Sequence, residues 1–241
     1  PHIWSNYWAN FIKLNAGKTV YVTDMRDEWD LNDPTHQYVV DHPNLYQFFD
    51  TSQNNHNSGQ THADRFASLR SKLLAIKRPI NNVKTYGADT DEYGYGTDQD
   101  GVERFWRNIF GGAASVRFHR PNSGLGLTSK AQTHIKSARM VTDAIDIFLM
   151  EPRNDLLSIR ASNEAYLLAE AGKQYAIYFT GVSDNEVGLD LTRVSGNFDV
   201  QWLHVDTSEW QSGNNIQGGT SVTISAPSSD SWAAVITSVI P

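Results

Sequence analysis

The chain has 241 residues, 39% hydrophobic and 20% charged, with a formal net charge of −7 and a pI near 5.6. That length suits one or two globular domains, and without a Lys/Arg cluster it lacks the basic face of a nucleic-acid binder. Cysteine is absent, which removes disulfide and thiolate chemistry but assigns no compartment, and no apolar run approaches the ~20 residues of a membrane helix.

The opening "PHIWSNYWANFIK" places Trp4, Tyr7, Trp8, Phe11 and Ile12 at helical spacing. A helix with so apolar a face needs something to pack against. The chain begins without Met or a signal peptide, so processing or truncation is expected. Four apolar runs follow, at 18–24, 45–51, 79–87 and 114–119, and each is expected to be a strand. Between them lie helical stripes. Phe66, Leu69, Leu73 and Leu74 form one, and Val102, Phe105, Trp106, Ile109 and Phe110 form another. Ser129 with Gln132 fits a capping box for a third helix, running through Ile135, Ala138 and Ile145. Strands alternating with helices about every thirty residues predict βα units and a parallel sheet.

The pattern changes after residue 152. The segments "EAYLLAE", "KQYAIYFT", "VGLDLT", "NFDVQWLHVDT", "TSVTISAP" and "SWAAVITSV" are short and β-rich, separated by turn-forming stretches such as "SGNNIQGG". That rhythm predicts a small antiparallel β-sandwich over 153–241, after an α/β domain over 1–152. Trp202 and Trp232 fall in strand patterns and are expected in its core. Trp210 lies in a turn-rich stretch and is expected to be exposed.

In a parallel βα array, ligands bind beyond the carboxyl ends of the strands. The first predicted strand ends in Asp24 and leads to Trp29. The second ends in Asp50 and leads to Gln53, Asn54, Asn55 and His56. The third leads to Lys84, Tyr86, Asp89, Asp91 and Glu92, and the fourth to Arg117, His119 and Arg120. Any one of these residues is ordinary for a loop or a helix cap. Their recurrence on four successive strands carries the reading. Amides and carboxylates bond sugar hydroxyls, aromatic faces stack on pyranose C–H surfaces, and paired carboxylates hydrolyse glycosides. The eight histidines include no HxxxH-type pair, and the acidic stretch 89–101 lacks calcium-loop spacing, so no metal and no cofactor is expected. A serine-hydrolase elbow, GxSxG, is absent.

The segments "WSNYWANFI", "KTVYVTDMRDEWD", "DTSQNNH" and "ERFWRNIFGGAASVRFHRP" resemble the later part of apiosidase-like glycoside hydrolases. In that family a (β/α)8 barrel precedes a small sandwich often labelled a collagen-binding domain, which "NEAYLLAEAGKQYAIYFT" and "VGLDLTRVSGNFDVQWLHVDTSEW" resemble. The resemblance covers essentially the whole chain. It implies half of a (β/α)8 barrel, strands five to eight, followed by the sandwich. It further implies glycosidic-bond hydrolysis with a carbohydrate partner and a secreted or periplasmic location. A general acid/base at the end of strand four would fall ahead of Pro1, leaving this fragment without its proton donor. Asp89 is expected to be the catalytic carboxylate, with Glu92 beside it. Asp24, Trp29, Asp50, Gln53, Asn54, Asn55, Tyr86, Arg117 and His119 are the expected substrate contacts. The half-barrel is expected to self-associate or to pair with a missing N-terminal half, with neither nucleic acid nor membrane as partner. A non-catalytic carbohydrate- or matrix-binding protein is the alternative reading.

Overall fold

The computed structural model describes residues 2–86, 96–120 and 126–239. It is a mixed helix-and-sheet chain with several sheets. By contacts it divides into two compact units, Pro1–Ile109 with Ala113–His119, and Phe110–Gly112 with Arg120–Pro241.

The first unit runs α1 (His2–Asn15), α2 (Pro34–Asp41), β1 (Phe49–Asp50), a 3-10 turn (Ser52–His56), α3 (Gly59–Lys72), β2 (Ile80–Thr85), α4 (Asp98–Phe110) and β3 (Ser115–Phe118). The three strands form a parallel sheet in the order β1-β2-β3, with Phe49 beside Ile80 and Asn82 beside Val116. The expected apolar stripes close one side of it. Phe66, Leu69 and Leu73 pack with Phe49 and Ile80 in one core that also holds Ala9, Leu31, Val39 and Tyr46. Val102, Phe105 and Trp106 of α4 are likewise buried.

Several details depart from expectation. Residues 18–24 form no ladder strand: the Val22 carbonyl accepts one backbone hydrogen bond, from Gln47 N at 2.9 Å, and its amide donates to the Gln47 side chain at 3.1 Å. The Gln47 amide thus takes a main-chain acceptor's place, and Thr23 Oγ1 donates to the Phe48 carbonyl at 2.7 Å. Helix α2 was not anticipated, although its signals are present. Asp33 caps it through Thr35 N, Pro34 occupies the first turn, and Pro43 follows its end. Leu74 lies beyond the end of α3 and is 50% exposed. Helix α1 forms as expected, but its apolar side, expected to pack against something, is open among the described residues, with Ile3 at 88%, Trp4 at 72% and Leu14 at 84% exposure.

The second unit begins its regular structure with α5 (Ser129–Ala144). Its cap is Thr128, accepting from Ala131 N at 3.1 Å, one residue earlier than the expected Ser129. Short strands β4 (Glu151–Pro152) and β5 (Leu157–Ser158) precede β6 (Ala165–Glu170), β7 (Gln174–Phe179), β8 (Glu186–Asp190) and β9 (Asn197–His204). They are followed by β10 (Glu209–Ser212), β11 (Ile216–Gln217), β12 (Ser221–Ser225) and β13 (Trp232–Ser238). One seven-stranded antiparallel sheet has the order β10-β9-β13-β7-β6-β4, with β11 also on β9. A three-stranded antiparallel sheet has the order β12-β8-β5. Both sheets contribute to one core: Leu167, Ile177, Phe179, Val200, Trp202, Trp232 and Ile236 from the first, Val187, Leu189 and Ile224 from the second. Trp202 and Trp232 are buried at 5% and 6% exposure, while Trp210 on the edge strand is 38% exposed.

Strand β7 is buried at every position because both its faces are covered. Tyr175, Ile177 and Phe179 point into the shared core, while Tyr178 on the other face meets Phe110 at 5.8 Å. Helix α5 is tied to this unit by polar contacts. Ser137 Oγ donates to the Val205 carbonyl at 2.7 Å, and the buried His134 meets Asp206 at 3.1 Å. The Asp206 carboxyl is held below the usual carboxylate range by its hydrogen bond from His134.

Candidate functional site

The carboxyl ends of β1, β2 and β3 lie side by side because the strands are parallel neighbours in one sheet. Asp50 closes β1. Its Oδ1 accepts from Ser52 N at 2.9 Å and so starts the 3-10 turn. Its Oδ2 is buried and accepts from no described group. A buried carboxylate oxygen without a donor is uncommon enough to mark the position.

The turn then spends its amides on the scaffold. Asn54 is wholly buried, with Nδ2 donating to the His62 carbonyl at 3.0 Å and Oδ1 accepting from Asn57 at 3.0 Å. Asn55, also buried, donates to the carbonyls of Ser52 and Lys84 and accepts from Tyr86 N at 3.4 Å. The end of β1 is thus fastened to the end of β2. The same junction holds Thr51, whose carbonyl accepts from Asn82 Nδ2 at 3.3 Å, and Ser52, whose Oγ accepts from Val83 N at 3.2 Å. These bonds tie β2 to the turn after β1, while on its other edge the β2–β3 register shifts between Asn82 and Thr85. The Tyr86 ring meets that of His119, with centroids 4.6 Å apart, and His119 N donates to the Thr85 carbonyl at 2.9 Å. Arg117 is exposed on β3, with Nε donating to the Val83 carbonyl at 2.9 Å.

Asp50, Asn54, Asn55, Tyr86, Arg117 and His119 are therefore joined through one network of strand ends. Trp29 and Gln53 lie beside it. Trp29 is 49% exposed, carries the Arg65 guanidinium 5.2 Å over its ring, and gives its carbonyl to Asn57. Gln53 donates to Asp27 at 2.9 Å. Asp24 belongs to a different group: it pairs with Arg26 at 2.5 Å, and Arg26 in turn contacts His2 at 2.8 Å. Asp89, Asp91 and Glu92 lie outside the described residues. Phe118 is buried and stacked on Phe105 of α4 at 4.4 Å. Strand alternation then puts Arg117, not Phe118, on the open face.

Sequence reasoning missed a charged layer between α3 and α4. Glu103, Arg104 and Arg107 are buried within α4. Arg104 Nε donates to the Asn57 carbonyl at 2.8 Å, directly after the turn. Arg107 pairs with Glu103 at 2.6 Å and donates to His62 Nδ1 at 3.5 Å. Burial pushes the Arg104 guanidinium down to about 10, with Asp100 pulling the other way. Burial, reinforced by Arg107 and Arg104, holds the His62 imidazole well below its ordinary value, so it is neutral at pH 7. The sequence signal was the Glu103/Arg107 spacing alongside the apolar stripe of α4, which places both on one face.

No protein-family profile and no curated protein matches the sequence. Solved structures do share the fold. A glycoside hydrolase family 5 protein from Bacteroides vulgatus is similar at TM-score 0.58 and 9% identity, over 74% of this chain and 45% of that one. A noncanonic maltogenic alpha-amylase from Thermotoga neapolitana is similar at TM-score 0.56 and 8% identity, over 98% of this chain and 59% of that one. An Anoxybacillus alpha-amylase is similar at TM-score 0.56 and 8% identity, over 100% of this chain and 57% of that one. The chain has a glycoside-hydrolase-like fold and spans about half the length of these neighbours.

Proposed function

We propose that the chain is the later half of a glycoside hydrolase, with residues 1–152 supplying strands of a (β/α)8 barrel and 153–241 a β-sandwich. The observation that carries this reading is the cluster of Asp50, Asn55, Tyr86 and His119 at adjacent parallel strand ends. Brought together with a glycoside-hydrolase-like fold, that placement supports a sugar site. Asp50, Tyr86, Arg117 and His119 would contact the saccharide, with Trp29 at the rim. Asn54 and Asn55 would hold the loop that presents them. Asp89 and Glu92 would supply the carboxylate chemistry together with an acid/base from the first half-barrel. The test is reducing-sugar release from soluble polysaccharides by the complete barrel. Asp89→Asn and Glu92→Gln should each lower turnover by roughly 10²-fold or more, the usual contribution of acid–base catalysis. Unchanged turnover in both variants would overturn these roles. Saccharide binding without hydrolysis would favour the non-catalytic alternative.

The exposed apolar side of α1 supports the partner half of the reading. Contiguous apolar patches above a few hundred Å2 usually mark an interface. Alone at micromolar concentration, the chain is expected to self-associate, and a first half-barrel supplied in trans should compete with that. Light scattering that reports a stable monomer would sink the pairing.

A further inference from the structure

The second unit contains a pocket of about 330 Å3 where β10, the edge of the seven-stranded sheet, faces β12, the edge of the three-stranded one. That volume lies at the lower end of small-ligand sites. Trp202 lines it. The side chain is 5% exposed, and its Nε1 donates to no described group, whereas the Trp232 indole donates to Ser228 Oγ at 3.0 Å. A buried indole N–H ordinarily finds an acceptor. This one opens on the pocket because residue 213 is glycine. A Cβ there would stand 2.9 Å from Nε1 and 3.0 Å from Cδ1. Gly213 does not have the positive φ that would demand glycine for conformational reasons. Its missing side chain leaves the indole N–H uncovered.

The walls are polar and neutral. Gln211, Ser212, Asn214 and Thr223 line the pocket, and their side chains bond to no other described side chain or backbone group. Val200, Ile216 and Ile224 supply C–H surface between them. The lining carries no Lys, Arg, Asp or Glu. An anion would find no counter-charge, and a purely apolar ligand would seal the indole N–H without an acceptor, which costs free energy. A ring that offers hydroxyls at its edge and C–H groups on its face satisfies both surfaces. We propose that this pocket binds one neutral saccharide unit, with the Trp202 Nε1–H donating to a sugar oxygen and the Gln211 and Asn214 amides bonding neighbouring hydroxyls. The inference does not rest on the glycosidase reading, because every group involved belongs to the second unit.

The experiment follows the tryptophan indole N–H resonances of the 15N-labelled chain on titration with xylohexaose, cellohexaose or maltohexaose. The Trp202 resonance should move saturably with at least one of them, in the millimolar range, while the Trp232 resonance stays in place. Gln211→Ala and Asn214→Ala, both at exposed positions, should weaken half-saturation by about fivefold to tenfold, as expected for losing one hydrogen bond. Gly213→Ala should abolish the response. A Trp202 resonance that stays fixed with all three saccharides overturns the proposal. So does a response unchanged in Gln211→Ala and Asn214→Ala, or one produced equally by inorganic phosphate. Because binding is read at Trp202, a chain inactive on every glycoside would still give the expected shift.

Discussion

Replacing Arg78 by methionine is expected to destabilise the first unit by about 3–5 kcal/mol, the sum of leaving up to three partly buried carbonyls without a donor. The Arg78 guanidinium donates through Nη1 to the carbonyls of Val39 and Tyr46, each at 2.9 Å, and through Nη2 to that of Val40 at 2.6 Å. Val39 and Val40 lie in the last turn of α2, where helix carbonyls have no internal partner. For Val39 the shortage is forced, because the residue four positions on is Pro43, which has no N–H. The proline ends the helix, and Arg78, arriving just before β2, supplies the donor that proline lacks. Burial already lowers the Arg78 guanidinium from its ordinary value, yet at that value's height it stays charged. Methionine keeps much of the aliphatic stem and removes the donors. Lysine should restore only part of the loss, since one ammonium cannot span three carbonyls as a planar fork does. The measurement is hydrogen exchange under increasing urea, read at the amides of 35–46. Protection in Arg78→Met equal to that of the parent chain would show that the clamp contributes nothing.

The pattern of success along the sequence follows from where the information sits. The second unit was legible because each strand carries enough alternating or continuous apolar residues to declare itself. The segments read at 164–170, 173–180, 197–207 and 231–239 contain β6, β7, β9 and β13. What escaped were strands without an apolar signature: β10, exposed at all four positions, and the two-residue β4, β5 and β11. These exist because a neighbour offers main-chain groups, and no local pattern records that. In the first unit, the helical stripes at 66–73 and 102–110 were readable from period alone. The run at 18–24 was not a ladder strand, because the acceptor for Val22 N is a side chain, Gln47, twenty-five positions away. The candidate site divides in the same way. The types and order of its polar residues were legible. Their division of labour was not: Asn54 and Asn55 hold the turn internally, whereas Tyr86 and His119 meet ring against ring. Hydrogen-bond partners are long-range facts, and a single sequence does not carry them.

The charged layer beneath the turn gives the first unit a pH dependence that its surface would not. His62 is completely buried, and its imidazole is held well below the ordinary value of 6.5, first by burial and then by Arg107 and Arg104. The folded chain therefore keeps this ring neutral in a range where the unfolded chain protonates it. Below about pH 6.5 the unfolded state binds the extra proton, so stability falls as pH falls and is unaffected above pH 7.5. The slope is about 1.4 kcal/mol per pH unit for each such histidine, until the folded-state value is reached. His36 acts in the same direction, lowered chiefly by burial and partly held up by its bond to the Glu28 carbonyl at 2.7 Å. The Asn57 carbonyl, held by Arg104, sits in this layer. Acid should thus loosen the turn that presents Asp50 before carboxylates begin to protonate. Urea unfolding of the first unit at pH 7.5, 6.5 and 5.5 should show midpoints falling with acid. The His62→Gln variant should start lower, because glutamine replaces the imidazole acceptor of Arg107, but should lose most of the slope between pH 6.5 and 5.5. A variant with the parent's slope would mean that other groups, not His62, set the acid sensitivity.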